Sequence, residues 1–234
     1  MENRDGIVSG GALCGLAGSA VFMGIAVILE QLYWQHNSAK TLQDHLIVLG
    51  SPPNSAISMG SHLLVGFGAL LFIPAFLALV RLLESEEPRP LARVGGLFGV
   101  ISCPILAIGA IVQGTIMVKL GRMYVAATGV EERQTLASIY SGIRTVDLGL
   151  DLAFDLFFFA GWILLGLAML RNKRFGRMFG AVGMILFGAA AVLNAWSAPN
   201  PPSFETAPVA LLWVIAVYVQ MLRQAKPLSI GSGP

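Results

Sequence analysis

The chain has little of the charge on which soluble domains depend. Charged residues make up only 12% of its 234 positions, about half of the roughly 25% that is usual for soluble domains. Apolar residues reach 56%, and so few charged side chains would leave much of that apolar surface exposed to water. The composition therefore predicts an integral membrane protein.

Other scarcities exclude further classes of protein. Two cysteines are too few for a small secreted domain held together by disulfides. A net charge of +2 without a basic face argues against nucleic-acid binding. The three histidines form no His-Glu-x-x-His zinc motif, and no phosphate-binding glycine loop is present. We therefore expect no nucleic-acid partner, no metal site and no cofactor.

Long apolar runs predict an all-α polytopic membrane helix bundle. A membrane helix needs about 20 mostly apolar residues to cross a hydrocarbon core of roughly 30 Å. Six segments reach or approach this length, of which the last is the shortest. Because no linker is long enough to separate two domains, we expect one transmembrane domain over residues 1–234. The predicted spans are 7–32, 57–83, 94–119, 143–170, 178–197 and 207–223.

The distribution of Lys and Arg predicts that both termini lie in the cytoplasm. Cytoplasmic loops carry an excess of these residues, and this orientation places ten of the 15 on the inner side. The densest group, at 171–177, occupies the turn between the fourth and fifth spans. It is able to attract anionic lipid headgroups, although the ordinary charge bias of cytoplasmic loops already explains it. The inner set is Arg4, Arg81, Arg89, Arg93, Arg171, Lys173, Arg174, Arg177, Arg223 and Lys226.

Two capping-box patterns predict helix starts outside the membrane. Thr41-Leu-Gln-Asp44 predicts a short amphipathic helix over 41–50. Its leucines, at positions 42, 46 and 49, are expected to lie on the membrane surface. A second pattern, Thr128-Gly-Val-Glu131, predicts a helix that continues into the fourth span.

Glycines four residues apart predict close approach between helices, because small residues let two backbones meet. The sequence contains three such pairs that we expect to serve packing within the bundle. They are Gly11 with Gly15, Gly95 with Gly99, and Gly176 with Gly180.

Acidic residues inside the fourth span are the most informative feature of the sequence. Asp147, Asp151 and Asp155 are spaced by four and therefore share one helix face. Charges inside hydrocarbon are costly and often mark ion or proton pathways. Polar side chains of other spans fall at the same level, which predicts a water-filled pocket open to the outside. The pocket lining is expected to include Glu30, His62, Gln113 and Asn194.

These acids allow a structural and a functional interpretation. In the structural one, the acids bind basic and polar side chains of neighbouring helices. The partners would be Arg144 and Lys119 for the two outer acids, and Asn194, Gln113 or His62 for Asp155. Such bonds stabilise membrane helix pairs by only about 0.6–2 kcal/mol each, so we favour the functional interpretation. Asp147 and Asp151 would then form the entrance of an ion or solute site and Asp155 its deep end.

Three hypotheses for the function follow. The leading one is a non-enzymatic multi-pass protein whose acidic pocket binds or conducts a small cation or solute, with proton coupling as one form of that activity. The second is a structural or accessory subunit of a larger membrane complex, with partner subunits or further copies of itself. The third is an intramembrane lipid-modifying enzyme, ranked last because no nucleophile or metal set accompanies the acids. Membrane lipids are partners in all three.

Several stretches of the C-terminal half resemble one bacterial family. They are Gly161-Trp-Ile-Leu-Leu-Gly166, Arg174-Phe-Gly-Arg177, Gly180-Ala-Val-Gly183 and Ala207-Pro-Val-Ala-Leu211. Together with the acids of the fourth span they resemble the six-span integral membrane proteins grouped as domain of unknown function 4386. The resemblance implies a protein of the bacterial inner (plasma) membrane and supplies no catalytic residues.

Overall fold

Helices are the regular secondary structure of every part of the chain that the structure describes. The computed structural model describes residues 2–22, 41–84, 89–197 and 207–225. Glu30 and positions 23–32 of the first predicted span lie outside these ranges. The all-helical class is confirmed for the described residues. The helices are α1 (Glu2–Ala20), α2 (Leu42–Gly50), α3 (Asn54–Leu83), α4 (Arg89–Ile111), a π-helical segment (Val112–Met117), α5 (Val118–Ala126), α6 (Val130–Leu170), α7 (Arg177–Ser197) and α8 (Ala207–Gln224).

Four of the described helical stretches are long and apolar enough to cross a membrane. They are Asn54–Leu83, Pro90–Ala126, Val130–Leu170 and Arg177–Trp196. A fifth apolar stretch, Val209–Gln224, is shorter. These helices indicate that the protein is embedded in a membrane, because their mean hydropathy is that of lipid-facing segments.

The 41-residue helix α6 is far longer than one crossing requires. At 1.5 Å per residue it extends about 60 Å, roughly twice the thickness of the hydrocarbon core. It begins at Val130, two residues after Thr128, and continues without a break into the fourth predicted span.

The chain divides into two compact units. Unit 1 contains Met1–Ser19, Leu71–Cys103 and Asp155–Pro234, and unit 2 contains Ala20–Leu70 and Pro104–Phe154. Asp155 therefore belongs to unit 1, whereas the other two acids of α6 belong to unit 2.

Unit 1 is packed around a cluster of aromatic rings. Trp162 of α6 is 0% exposed, and its ring centroid lies 5.1 Å from that of Phe76, 5.6 Å from Phe187 and 5.4 Å from Trp213. Rings at these separations gain dispersion energy and a favourable edge-to-face or stacked geometry. The cluster thus joins residues from α3, α6, α7 and α8.

Glycines make room for several of these rings. A Cβ atom on Gly99 would lie 2.5 Å from the Phe76 ring, and one on Gly183 would lie 2.3 Å from the Trp213 ring. Gly15 of α1 lies in the same way against Tyr218 of α8, at 2.6 Å. Since real Cβ contacts are longer than 3.0 Å, the rings occupy the volume that a side chain would need.

The predicted glycine pairs are confirmed at two places and wrong at the third. Gly11 and Gly15, like Gly95 and Gly99, lie against neighbouring residues in unit 1. Gly176 has φ +79 and no atom within 4 Å of its would-be Cβ, so it serves the turn before α7 rather than helix packing. Gly180 packs instead against Gly166, whose carbonyl oxygen would lie 2.5 Å from a Cβ at position 180.

In unit 2 the short helix α2 packs against α5. Thr41 caps it, since the Thr41 hydroxyl accepts from the Asp44 N–H at 3.1 Å and the Asp44 carboxylate accepts from the Thr41 N–H at 3.0 Å. At its other end, a Cβ on Gly50 would lie 2.1 Å from the Gly121 carbonyl oxygen. Two facing glycines therefore allow the backbones of α2 and α5 to touch.

This contact corrects the expectation for the leucines of α2. Leu46 and Leu49 are buried among side chains of unit 2, including Leu120 and Tyr140, instead of lying on the membrane surface. Leu42 alone of the three is exposed. The close approach at Gly50 brings α2 near enough to its neighbours for the protein itself to cover the apolar face.

His45 makes the stability of this packing depend on pH. Its ring lies 6.2 Å from that of Tyr140, and burial, together with the nearby Arg144 guanidinium, lowers the pKa of His45 from 6.5 to about 4. Because the unfolded chain binds the proton more readily, stability is complete above pH 6.5, decreases as pH falls to about 4 and changes no further below it. We expect His45→Gln to reduce this dependence, measured as the difference in thermal midpoint between pH 7 and pH 4.5 in detergent. An unchanged difference would contradict the assignment.

Candidate acidic site

The π-helical segment brings Gln113 to Asp147. Asp147 of α6 is 5% exposed, and its Oδ2 accepts a hydrogen bond from Gln113 Nε2 at 2.8 Å. A π turn contains one residue more than an α turn and is often found where a helix serves a function. The local change of winding at Val112–Met117 sets the direction in which Gln113 leaves the helix.

A glycine also allows His62 to approach the π-helical segment. A Cβ on Gly114 would lie 3.0 Å from the Cβ of His62 and 3.2 Å from the Met59 carbonyl oxygen, so α3 contacts the π-helical segment closely. His62 Nδ1 lies 2.7 Å from the Ser58 carbonyl oxygen. A neutral ring therefore donates through Nδ1 and keeps Nε2 as an acceptor. His62 also interacts electrostatically with Asp147.

The second oxygen of Asp147 is the unusual atom of the site. Asp147 Oδ1 is buried and has no hydrogen-bond partner among the described residues. It faces Gly109 of α4, where a Cβ would lie 3.7 Å from Asp147 Oδ1 and 4.0 Å from Asp151 Oδ1. The glycine thus leaves space beside two carboxylates. A buried anionic oxygen without a partner is strongly unfavourable, so a proton or a cation at this atom would stabilise the site.

The two predicted cationic partners are placed differently. Among the described residues, Arg144 forms no ion pair with Asp147 and acts on it only electrostatically. Lys119 is exposed on α5. Gln113, rather than a cation, therefore supplies the direct contact to Asp147.

Asp155 belongs to a separate arrangement in unit 1. Asn194 Nδ2 of α7 donates to Asp155 Oδ2 at 2.8 Å. This is the interhelical bond that the structural interpretation predicts for Asp155. Asp151, in contrast, has an exposed side chain next to the Asp147 site in unit 2.

In the parts of the chain that the structure describes, no three His, Cys, Asp or Glu side chains come together as a metal-binding group. Gly109, which lies beside the two carboxylates, and Gly114, which allows the close approach of α3, are the residues that sequence reasoning missed. Their position beside Gln113 in a predicted span is the signal that indicates them.

Comparison with known proteins supports a family assignment. No curated protein and no solved structure matches the chain. One family model, described as "Domain of unknown function (DUF4386)", matches residues 10–223. Because this match covers far more than half of the sequence, the chain belongs to the DUF4386 family.

Proposed function

We propose that the protein is a multi-pass membrane protein in which the Asp147 site binds a proton or a small cation. The site passes this ion between the membrane surface and the interior of the protein. The observation that carries the proposal is the buried Asp147 Oδ1, which lies beside Gly109 and Asp151 and has no hydrogen-bond partner among the described residues. Gln113 holds the other oxygen, so the carboxylate is oriented before a ligand arrives.

The polar groups around Asp147 support exchange rather than permanent occupancy. His62 retains an acceptor nitrogen and interacts electrostatically with Asp147, which suits a proton relay. Asp151 is exposed and shares the space at Gly109, which provides a second carboxylate for a cation on its way in or out. Intramembrane acids in such surroundings are typical of ion and proton pathways.

For topology we propose six crossings with both termini in the cytoplasm of a bacterial inner membrane. The four long apolar helices supply four crossings, and α1 and α8 would contribute to the others. The Lys and Arg residues support this orientation, because ten of 15 fall on one side. The Asp147 site would then lie toward the outer surface.

Replacement of Asp147 by asparagine tests the proposal. We expect Asp147→Asn to weaken cation or proton binding roughly tenfold to a hundredfold, as loss of a charged hydrogen-bonding partner usually does. The measurement is the shift of the thermal midpoint with Na⁺, K⁺, Mg²⁺ and Ca²⁺ at pH 6 and pH 8, followed by pH-driven flux into liposomes containing a pH-sensitive dye. Asp151→Asn should give a smaller effect.

The control is Glu131→Gln, an exposed acid on the same helix, which should behave as the wild type. Equal responses of the wild type and Asp147→Asn would contradict the proposal, as would a wild type that responds to no cation and carries no flux. A wild type without any cation response that co-purifies with another membrane protein would favour the accessory-subunit alternative.

A further inference from the structure

Unit 1 carries a concentrated positive charge at the turn between α6 and α7. We call residues 171–177 the basic turn. All four of its cations, Arg171, Lys173, Arg174 and Arg177, have exposed side chains. In the part of the chain that is described, the three arginines form no ion pair with a carboxylate. Arg223 adds an exposed cation on α8.

The backbone of the basic turn is held in one conformation. Asn172, which is buried, accepts through Oδ1 from the Arg174 N–H at 2.9 Å, and its carbonyl oxygen accepts from the Gly176 N–H at 3.0 Å. The side-chain amides of Gln220 and Gln224 on α8 both donate to the Arg174 carbonyl oxygen.

A contact between two aromatic rings also holds the basic turn in place. Phe175 is buried and its ring lies 5.8 Å from that of Phe179. Gly176 provides the positive φ that the turn needs. The cations therefore project from a preformed support, so binding an anion does not require the backbone to become ordered first.

The position of the basic turn between two membrane helices indicates which kind of anion it binds. It joins two helices that are each long and apolar enough to span a membrane, and only residues 171–176 lie between them. Such a short connection keeps the cations at the depth of the lipid headgroups, on whichever side of the membrane the turn lies. Exposed arginines bind phosphate oxygens through paired N–H donors, and basic clusters at this depth attract anionic lipids.

We propose that the basic turn binds the phosphate headgroups of anionic phospholipids. Several exposed cations spread over one turn match the several phosphates of a lipid surface better than one enclosed anion. The proposal is independent of the Asp147 site, which belongs to unit 2.

The test uses the full-length protein in a non-ionic detergent, with lipid binding measured by native mass spectrometry. We expect phosphatidylglycerol to bind more tightly than phosphatidylcholine, and a change from a low concentration to 1 M of the volatile salt ammonium acetate to remove the preference by screening. The triple variant Arg171→Gln, Arg174→Gln, Arg177→Gln should bind phosphatidylglycerol roughly 100-fold more weakly, at roughly fivefold per cation. The lysine triple at the same positions should retain most of the binding.

The matched control replaces Lys119, Arg122 and Arg133, three exposed cations of unit 2, by glutamine and should retain phosphatidylglycerol binding. Equal loss in this control, or equal binding of the two lipids by the wild type, would overturn the proposal. Inorganic phosphate that displaces phosphatidylglycerol at millimolar concentration would also overturn it, because the site would then be one for a free anion. If the triple glutamine variant does not fold, the salt dependence of the wild type and the binding of the triple lysine variant still test the proposal.

Discussion

Trp162→Ala is expected to lower the free energy of unfolding by about 3–5 kcal/mol, the range found when a large buried aromatic residue is truncated. Trp162 is 0% exposed and contacts rings from α3, α7 and α8. Lipid does not favour helix association through the hydrophobic effect, so packing contributes much of the stability. The lost contacts would leave a cavity with no partner atoms.

The measurement is an SDS titration in mixed micelles followed by far-UV circular dichroism. Trp196→Ala is the matched control because Trp196 is 89% exposed, and its loss should stay within about 0.5 kcal/mol. Trp162→Phe should cost less than Trp162→Ala, since it keeps a ring and removes an Nε1–H that is buried without a partner among the described residues. Similar losses for Trp162→Ala and Trp196→Ala would show that the ring cluster does not stabilise unit 1.

Gly121→Val is expected to destabilise unit 2 by about 1–3 kcal/mol or more and to release α2. A Cβ at position 121 would lie 2.7 Å from the Gly50 amide nitrogen and 2.9 Å from the Leu46 carbonyl oxygen. Neither is the flexible end of a side chain, so the helices must separate, and overpacking of this kind costs roughly 1–3 kcal/mol or more. Hydrogen exchange should show faster exchange of the α2 amides than in the wild type.

Gly142→Ala provides the comparison within the same unit. Gly142 is exposed on α6 and nothing lies within 4 Å of its would-be Cβ. Alanine should therefore leave stability unchanged or increase it by up to about 1 kcal/mol, its advantage over glycine in a helix. Exchange in α2 that is no faster in Gly121→Val than in Gly142→Ala would disprove the contact.

Local sequence patterns predict the helices well where the helices depend on interactions between residues close in sequence or on composition. The Thr41–Asp44 capping box depends only on residues three apart, and long apolar runs depend only on composition. The burial of Leu46 could not be predicted in this way. It depends on two glycines that are distant in sequence, Gly50 and Gly121, meeting at one point.

The same distinction between local patterns and distant contacts applies to the acidic site. Spacing alone places Asp147 and Asp155 on one face of α6, but their partners depend on other helices. Gln113 reaches Asp147 because of a π-helical segment. Residue preferences do not predict this winding. Arg144, the nearer residue in sequence, forms no ion pair with Asp147 among the residues that the structure describes. Charge complementarity predicts Arg144 as the partner of Asp147. The winding of the helix instead determines that Gln113 contacts Asp147.

The π-helical segment also has a consequence for experiments that use helical-wheel diagrams. Six residues wound more loosely, at Val112–Met117, put α5 out of phase with α4 by about one residue's rotation, roughly 100°. A single wheel drawn through Pro90–Ala126 would therefore assign Lys119 and Arg122 to the wrong side. Cysteine-scanning or cross-linking pairs for this stretch should be chosen from two wheels, with the phase reset after Met117.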